Sequence, residues 1–214
     1  MKIAVVAANG RSGKAFVTAA LAAGHSVRAG FRTNSTLPQH PNLTVVHCDA
    51  LDEAELLNLI EEQEAVISFI GHVRGSSSSV QTDATQAIIS LMETLNMKRF
   101  VSLTGTGVRF RGDTITFIDR LLNFAVDRVD PSRINDGRRH VEILRESDLD
   151  WTILRVLKLY NGQLHPYHLT AHGPAKLWVS RSTVAAAALE VLEKHTYVKE
   201  APIIAPPLQR QRSS

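Results

Sequence analysis

The sequence predicts an α/β fold, an open, doubly wound, mostly parallel sheet of about six to seven strands with helices on both faces. Three observations carry that expectation. Strand-like apolar runs alternate with helix-spaced segments almost from end to end, the order that parallel crossovers produce. Ala65–Ile70 is apolar but for Ser68, as befits a strand covered on both faces. Residues 1–32 read strand, glycine-bearing turn, helix, strand, a unit of the length a parallel crossover needs.

The first strand covers Ile3–Ala8 and runs into the turn Asn9-Gly10-Arg11-Ser12-Gly13. An alanine-rich helix follows over Lys14–Ala23, stopped by Gly24, and a second strand spans Val27–Phe31. Pro38 and Pro41 mark 33–42 as a loop. Leu43–His47 is a third strand, and Asp52 can cap a helix to Ile60 with Leu56, Leu57 and Ile60 on one face. The fourth strand, Ala65–Ile70, ends at Gly71, and a serine-rich loop leads to a helix opening at Val80 or Thr82 and reaching Asn96. Arg99–Leu103 is a fifth strand. Two helices, Thr116–Asp127 and Arg133–Glu146, are separated by Asp130-Pro131. Trp151–Leu157 is a sixth strand. Tyr160–Lys176 reads as irregular, Ser182 or Thr183 caps a last helix over Val184–Lys194, and Pro202–Ala205 is a short seventh strand.

Composition narrows the function. The chain of 214 residues fits one domain, residues 1–205, and the polar tail 206–214 is expected to be disordered. A net charge of +3 suits either a mildly basic surface or an anionic ligand. The arginines are scattered rather than massed, which argues against nucleic acid. Cys48 is the only cysteine, so no intramolecular disulfide or Cys-based zinc site can form, and a reducing, cytoplasmic setting is expected. No apolar run reaches the roughly 18 residues of a spanning helix, so no membrane partner is expected. Ile3–Ala8 is too short for the apolar part of a signal peptide. An apolar face within 116–126 would serve a core or an interface, leaving monomer and homodimer both open.

The turn Ala7-Ala8-Asn9-Gly10-Arg11-Ser12-Gly13 has the spacing of a dinucleotide-binding GxxGxxG turn with alanine in first place. Gly10 leaves room for a pyrophosphate, Gly13 lets the helix pack on the sheet, and Ala7 is tolerable if its φ is negative. A nucleotide P-loop ending at Gly13-Lys14 fails, because Ala8 and Ala15 occupy its leading glycine and its magnesium-binding hydroxyl positions. The second strand ends Phe31-Arg32-Thr33 with no carboxylate for a ribose 2′-hydroxyl. Arg32 and Thr33 suit a 2′-phosphate instead, so the expected cofactor is NADP(H), with Arg11 as a second cation or a surface residue. Asp49 is a candidate for the adenine amino group or a turn cap, with Ala50 beside it. Gly71 and His72, after the fourth strand, complete the expected cofactor-binding set.

These residues resemble the atypical short-chain dehydrogenases/reductases with a Rossmann-like NAD(P)H-binding domain, most closely the group around biliverdin-IXβ reductase (flavin reductase). The segments that carry the resemblance are the AxxGxxG turn, Arg32, Cys48–Asp52, Val66–Gly71, Arg99–Thr104 and His140–Arg155. It implies reduction of a small-molecule acceptor such as a flavin, quinone or bilin. The chain departs from that group after strands five and six, where Gly105, flanked by Thr104 and Thr106, and Lys158 stand for its serine and histidine. Arg155-Val156 replaces its Arg-Pro.

None of Tyr160, Tyr167 and Tyr197 has a lysine four residues on, so the usual proton donor for carbonyl reduction is missing. Acceptors that delocalise the resulting anion remain accessible. Thr104, Thr106 and Lys158 are the expected catalytic groups. His165, His168 and His172 do not have a metal-site pattern. The alternative to a reductase is a non-enzymatic NADP(H)-binding redox sensor.

Overall fold

The computed structural model describes residues 1–73 and 75–207. In chain order the elements are β1 Lys2–Val6, α1 Arg11–Ala22, β2 Ser26–Phe31, β3 Leu43–His47, α2 Glu53–Ile60, β4 Ala65–Ser68, α3 Val80–Thr94 and β5 Arg99–Gly105. There follow α4 Phe117–Val129, α5 Pro131–Glu146, β6 Asp150–Val156, β7 Lys158–Tyr160, β8 His168–Thr170, β9 Trp178–Ser180, α6 Arg181–Glu193 and β10 Ile203–Ala205. The tail beyond Pro207, and with it the expectation of disorder there, lies outside the described residues.

The main sheet has the order β3-β2-β1-β4-β5-β6-β10-β8. All its pairs are parallel except β10 with β8. Successive crossovers move outward from β1 in both directions, so the topological switch point falls between β1 and β4. Ligands in such sheets sit at that crevice, beyond the carboxyl ends of the strands.

Alternation along each strand builds two cores. Ile3 and Val5 face α1 and α6, packing with Phe16, Ala20, Val184 and Ala188. Ala4 and Val6 face the other way, with Leu56, Ile88, Phe100 and Leu144. Asp52 caps α2 as expected, its carboxylate accepting from Glu55 N at 3.0 Å. Among the described residues no helix is long and apolar enough to cross a membrane.

Three local expectations are corrected. The stretch 160–176 is not irregular throughout. β8 lies within it and pairs with β10, and β7 overlaps its start, pairing parallel with β9 in a separate two-stranded sheet. These strands are three residues long, too short to show a period. The last helix begins at Arg181, because Ser180 rather than Ser182 or Thr183 supplies the cap, accepting from Thr183 N at 3.1 Å. Ala7 has φ of +58°, not the negative value expected. The first strand therefore stops at Val6, and the chain turns there through the left-handed region that favours glycine.

Candidate functional site

The turn after β1 is held from both sides. Ala8 N donates to Gly30 O at 2.9 Å, and Gly10 N to Ala7 O at 3.1 Å. Ala8 is fully buried and lines neither of the cavities over the strand ends, so its contribution is to anchor the turn. A Cβ on Gly13 would lie 2.5 Å from Ala7 O and 2.7 Å from Ala8 Cα. Only glycine there lets α1 approach the turn so closely. No side chain caps α1, which leaves its first N–H groups pointing outward, the arrangement that receives an anion.

Asn9 joins this turn to the loop after β2. Its Nδ2 donates to Asn34 O at 3.0 Å, and its Oδ1 accepts from Thr36 N and Oγ1 at 3.1 and 2.9 Å. His47 holds Arg32 O at 3.0 Å through Nε2 and meets Glu55 Oε1 at 2.8 Å through Nδ1. The hydrogen bond to Glu55 raises the imidazole above its ordinary value. The backbone of Arg32 is thus fixed. Its guanidinium is exposed, with no ion pair among the described residues.

A cavity of about 390 Å³ lies over the ends of β1 to β4, bounded by Asn9, Gly10, Arg32, Thr33, Asp49, Ala50 and Gly71. Asp49 Oδ1 accepts from Leu51 N at 3.1 Å, as a turn cap does, while Asp49 N donates to Glu55 Oε2 at 2.7 Å. Cys48 lines the same cavity. Burial pushes its thiol up to about 12, so it stays protonated and is no nucleophile. Arg11 is exposed on the first turn of α1, outside this cavity.

A second cavity, of about 400 Å³, adjoins the first and shares Phe69, Ile70 and Gly71 with it. Ser12, His72, Gln81, Thr104, Asn123 and Arg133 supply its polar wall, and Leu103, Val156, Leu157 and Leu159 much of its apolar wall. Thr104 is nearly buried, and a Cβ on Gly137 would come within 2.9 Å of its Oγ1. The missing side chain at Gly137 is what admits α5 to the strand end.

The other two expected catalytic groups do not line either cavity. Thr106 is buried, donating to Asp119 Oδ1 at 3.1 Å and accepting from Asn123 Nδ2 at 3.2 Å. Lys158 places its ammonium 5.0 Å from the centre of the Trp178 ring, on the β7–β9 sheet. Tyr160 and His165 stack nearby. Among the described residues no three His, Cys, Asp or Glu side chains gather in a way that could hold a metal ion.

The sequence reading passed over one group of consequence. Asp136, on α5, is fully buried in its side chain. It accepts from Gln81 N at 2.9 Å and Thr82 N at 3.0 Å, from the Thr82 hydroxyl, and from His72 Nε2 at 2.8 Å. The signal was slight, a carboxylate alone in the basic run Arg133–His140.

The open helix terminus, the glycine-dependent approach of α1 and the cation at the end of β2 together fit a dinucleotide. A family model described as NAD(P)H-binding matches residues 7–195. A curated relative, the 3-beta-hydroxysteroid dehydrogenase of Mycolicibacterium neoaurum, is 26% identical over 157 residues, which cover 68% of this chain and 41% of that protein. The chain thus spans less than half the length of that relative. Among solved structures, a short-chain dehydrogenase/reductase of Veillonella parvula in complex with NADP superposes with a TM-score of 0.79 at 21% identity, covering 97% of this chain and 95% of the other. A protein of Streptococcus pneumoniae named as an NADH-flavin reductase superposes with a TM-score of 0.75 at 22% identity, covering 95% and 98%. Identities this low establish the shared fold.

Proposed function

The chain belongs to the NAD(P)H-binding family, and on that premise we propose that it is an NADPH-dependent reductase of a flavin or similar conjugated acceptor, a quinone or bilin. The observation that carries this reading is the junction of two cavities. One ends at Arg32 with no carboxylate at the close of β2, and the other is walled largely by apolar side chains and Thr104.

When bound, the reduced nicotinamide supplies a hydride. The chain's own residues do the rest. The free N–H groups at the start of α1 bind the pyrophosphate. Arg32 and Thr33 would hold the 2′-phosphate, Asp49 with Ala50 would hold the adenine, and Gly71 would let the nicotinamide ribose approach the backbone. Ser12, Thr104 and the apolar wall orient the acceptor and exclude water. With Thr106 and Lys158 turned elsewhere, neither is placed to act on the acceptor, and orientation of the two reactants carries much of the catalysis.

Two measurements test this. Calorimetric titration should show NADPH binding more tightly than NADH. Arg32→Ala should weaken NADPH by about 10- to 100-fold, the loss of one charge-assisted contact, and leave NADH nearly unchanged. Equal affinities in the native protein would refute the NADPH preference. NADPH oxidation should then be followed with FMN, riboflavin, a quinone, a bilin and a 3-ketosteroid. Absence of turnover above background with all five would favour the redox-sensor reading. The withdrawal of Thr106 and Lys158 from the cavity is the observation that speaks for that alternative.

A further inference from the structure

A hydride delivered to a quinone, flavin or ketone leaves an anion that must be protonated, and the usual tyrosine–lysine pair is missing. Among the described residues lining the second cavity, His72 and Arg133 alone carry titratable side chains. Arg133 is an ion-pair partner, with Nε 2.7 Å from Asp130 Oδ2. His72 is therefore the one imidazole on that wall, the side-chain type that most often serves as general acid or base.

Its surroundings hold it in the form required. Asp136 accepts from two backbone N–H groups at the positive end of α3, and from a hydroxyl. All of these partners are donors, so the carboxylate oxygens act as acceptors. His72 Nε2 must then be the donor across 2.8 Å, which fixes the tautomer and leaves Nδ1 for the cavity. The imidazole side chain is 11% exposed and the carboxylate 0%, so water weakens the pair little. Among the described residues the other charged groups on this side are Asp130 and Arg133, which offset one another. His140, one turn beyond Asp136, is kept neutral by burial.

We infer that His72 is the proton donor to the reduced acceptor, with Asp136 as its positioning residue. This rests on the reductase reading above. In the step, the acceptor gains a hydride from the nicotinamide and a proton from His72 Nδ1. The Nδ1–H bond breaks, an O–H or N–H bond forms on the acceptor, and the neutral imidazole, still bonded to Asp136, regains a proton from solvent. The sum is NADPH, acceptor and one proton giving NADP+ and the doubly reduced acceptor.

The test uses the full chain and the variants His72→Gln and Asp136→Asn. With a quinone, His72→Gln should lower kcat about 100-fold or more and abolish the fall in kcat that the native protein shows as pH rises. With N-methylphenazonium, a cation that a hydride alone converts to a neutral product, the fall should be far smaller. A readout apart from turnover is the imidazole nitrogen NMR spectrum. Neutral His72 should carry its proton on Nε2, and Asp136→Asn should let that proton redistribute between Nε2 and Nδ1. The inference is overturned if native protein turns over quinone and His72→Gln does so equally, if both acceptors suffer alike, or if the proton resides on Nδ1. Absence of native turnover with every acceptor would overturn the reductase reading and this step with it.

Discussion

Ala7 shows how a single residue departs from what its position asks for. At φ of +58° an alanine costs about 1–2 kcal/mol relative to a right-handed conformation. Glycine would remove that strain but add freedom to the unfolded chain, worth about 0.4–1 kcal/mol. Ala7→Gly should therefore raise the unfolding free energy by up to about 1 kcal/mol, measurable as a higher urea midpoint at constant slope. His140 is the counterpart among titratable residues. It is fully buried, with Ser102 Oγ 3.0 Å from Nε2. Burial, opposed by the charge of Asp136, lowers its pKa from 6.5 to about 4. Between those values the unfolded chain binds a proton that the folded chain refuses, so stability must fall as pH drops from 6.5 toward 4. The maximum loss is about 3 kcal/mol, and above 6.5 the contribution is constant. Denaturant unfolding at pH 7 and pH 5 should show this loss in the native protein and a flatter response in His140→Gln.

At the scale of elements, α3 is capped by another helix. Ser79, at its N-cap, makes no capping bond and donates instead to Asp83 at 2.7 Å. The donors of Gln81 and Thr82 go to Asp136 on α5. This explains why the capping pattern that located α2 from Asp52 could not locate the start of α3, for which the sequence offered both Val80 and Thr82. A cap from 54 residues away leaves no local trace. Asp136→Ala should strand two backbone N–H groups and His72, costing about 3 kcal/mol or more. Ser79→Ala should be nearly neutral. Hydrogen exchange should quicken in the first turn of α3 in the former variant alone; uniform loss of protection along α3 and α5 would instead mean that the two helices separate as a unit.

Across the whole molecule, legibility followed sequence distance. The half of the sheet from β3 to β5 was readable because each strand is a short, largely apolar or β-branched segment and its turn chemistry is local. The turn after β1 and the close of β2 were readable for the same reason, from Ala7–Gly13 and Phe31–Thr33. The region 158–180 was not. Its strands pair Lys158 with Trp178 and His168 with Ala205, and Lys158 leaves the cavity only because Trp178 folds back beside it. What fastens this region to the sheet is Arg155, 1% exposed. Its guanidinium meets Asp113 at 2.6 and 2.9 Å and donates to Ala171 O and Ala201 O at 2.8 and 2.7 Å. It also lies 4.5 Å from the Phe110 ring centre. One side chain thus joins the loop after β5, the end of β8 and the approach to β10. Removing it would leave the Asp113 carboxylate buried without its partner, since hydrogen bonding to Arg155 and Phe110 N is what holds that group below its ordinary range against burial. Arg155→Met should cost about 3–5 kcal/mol, and adding Asp113→Leu should return much of it, because an apolar pair need not be desolvated at such expense. Hydrogen exchange should rise together around 108–113, 168–172 and 200–203 in the single variant and leave β1 to β4 protected. If those three segments loosened independently, Arg155 would be one contact among many rather than the joint that holds them together.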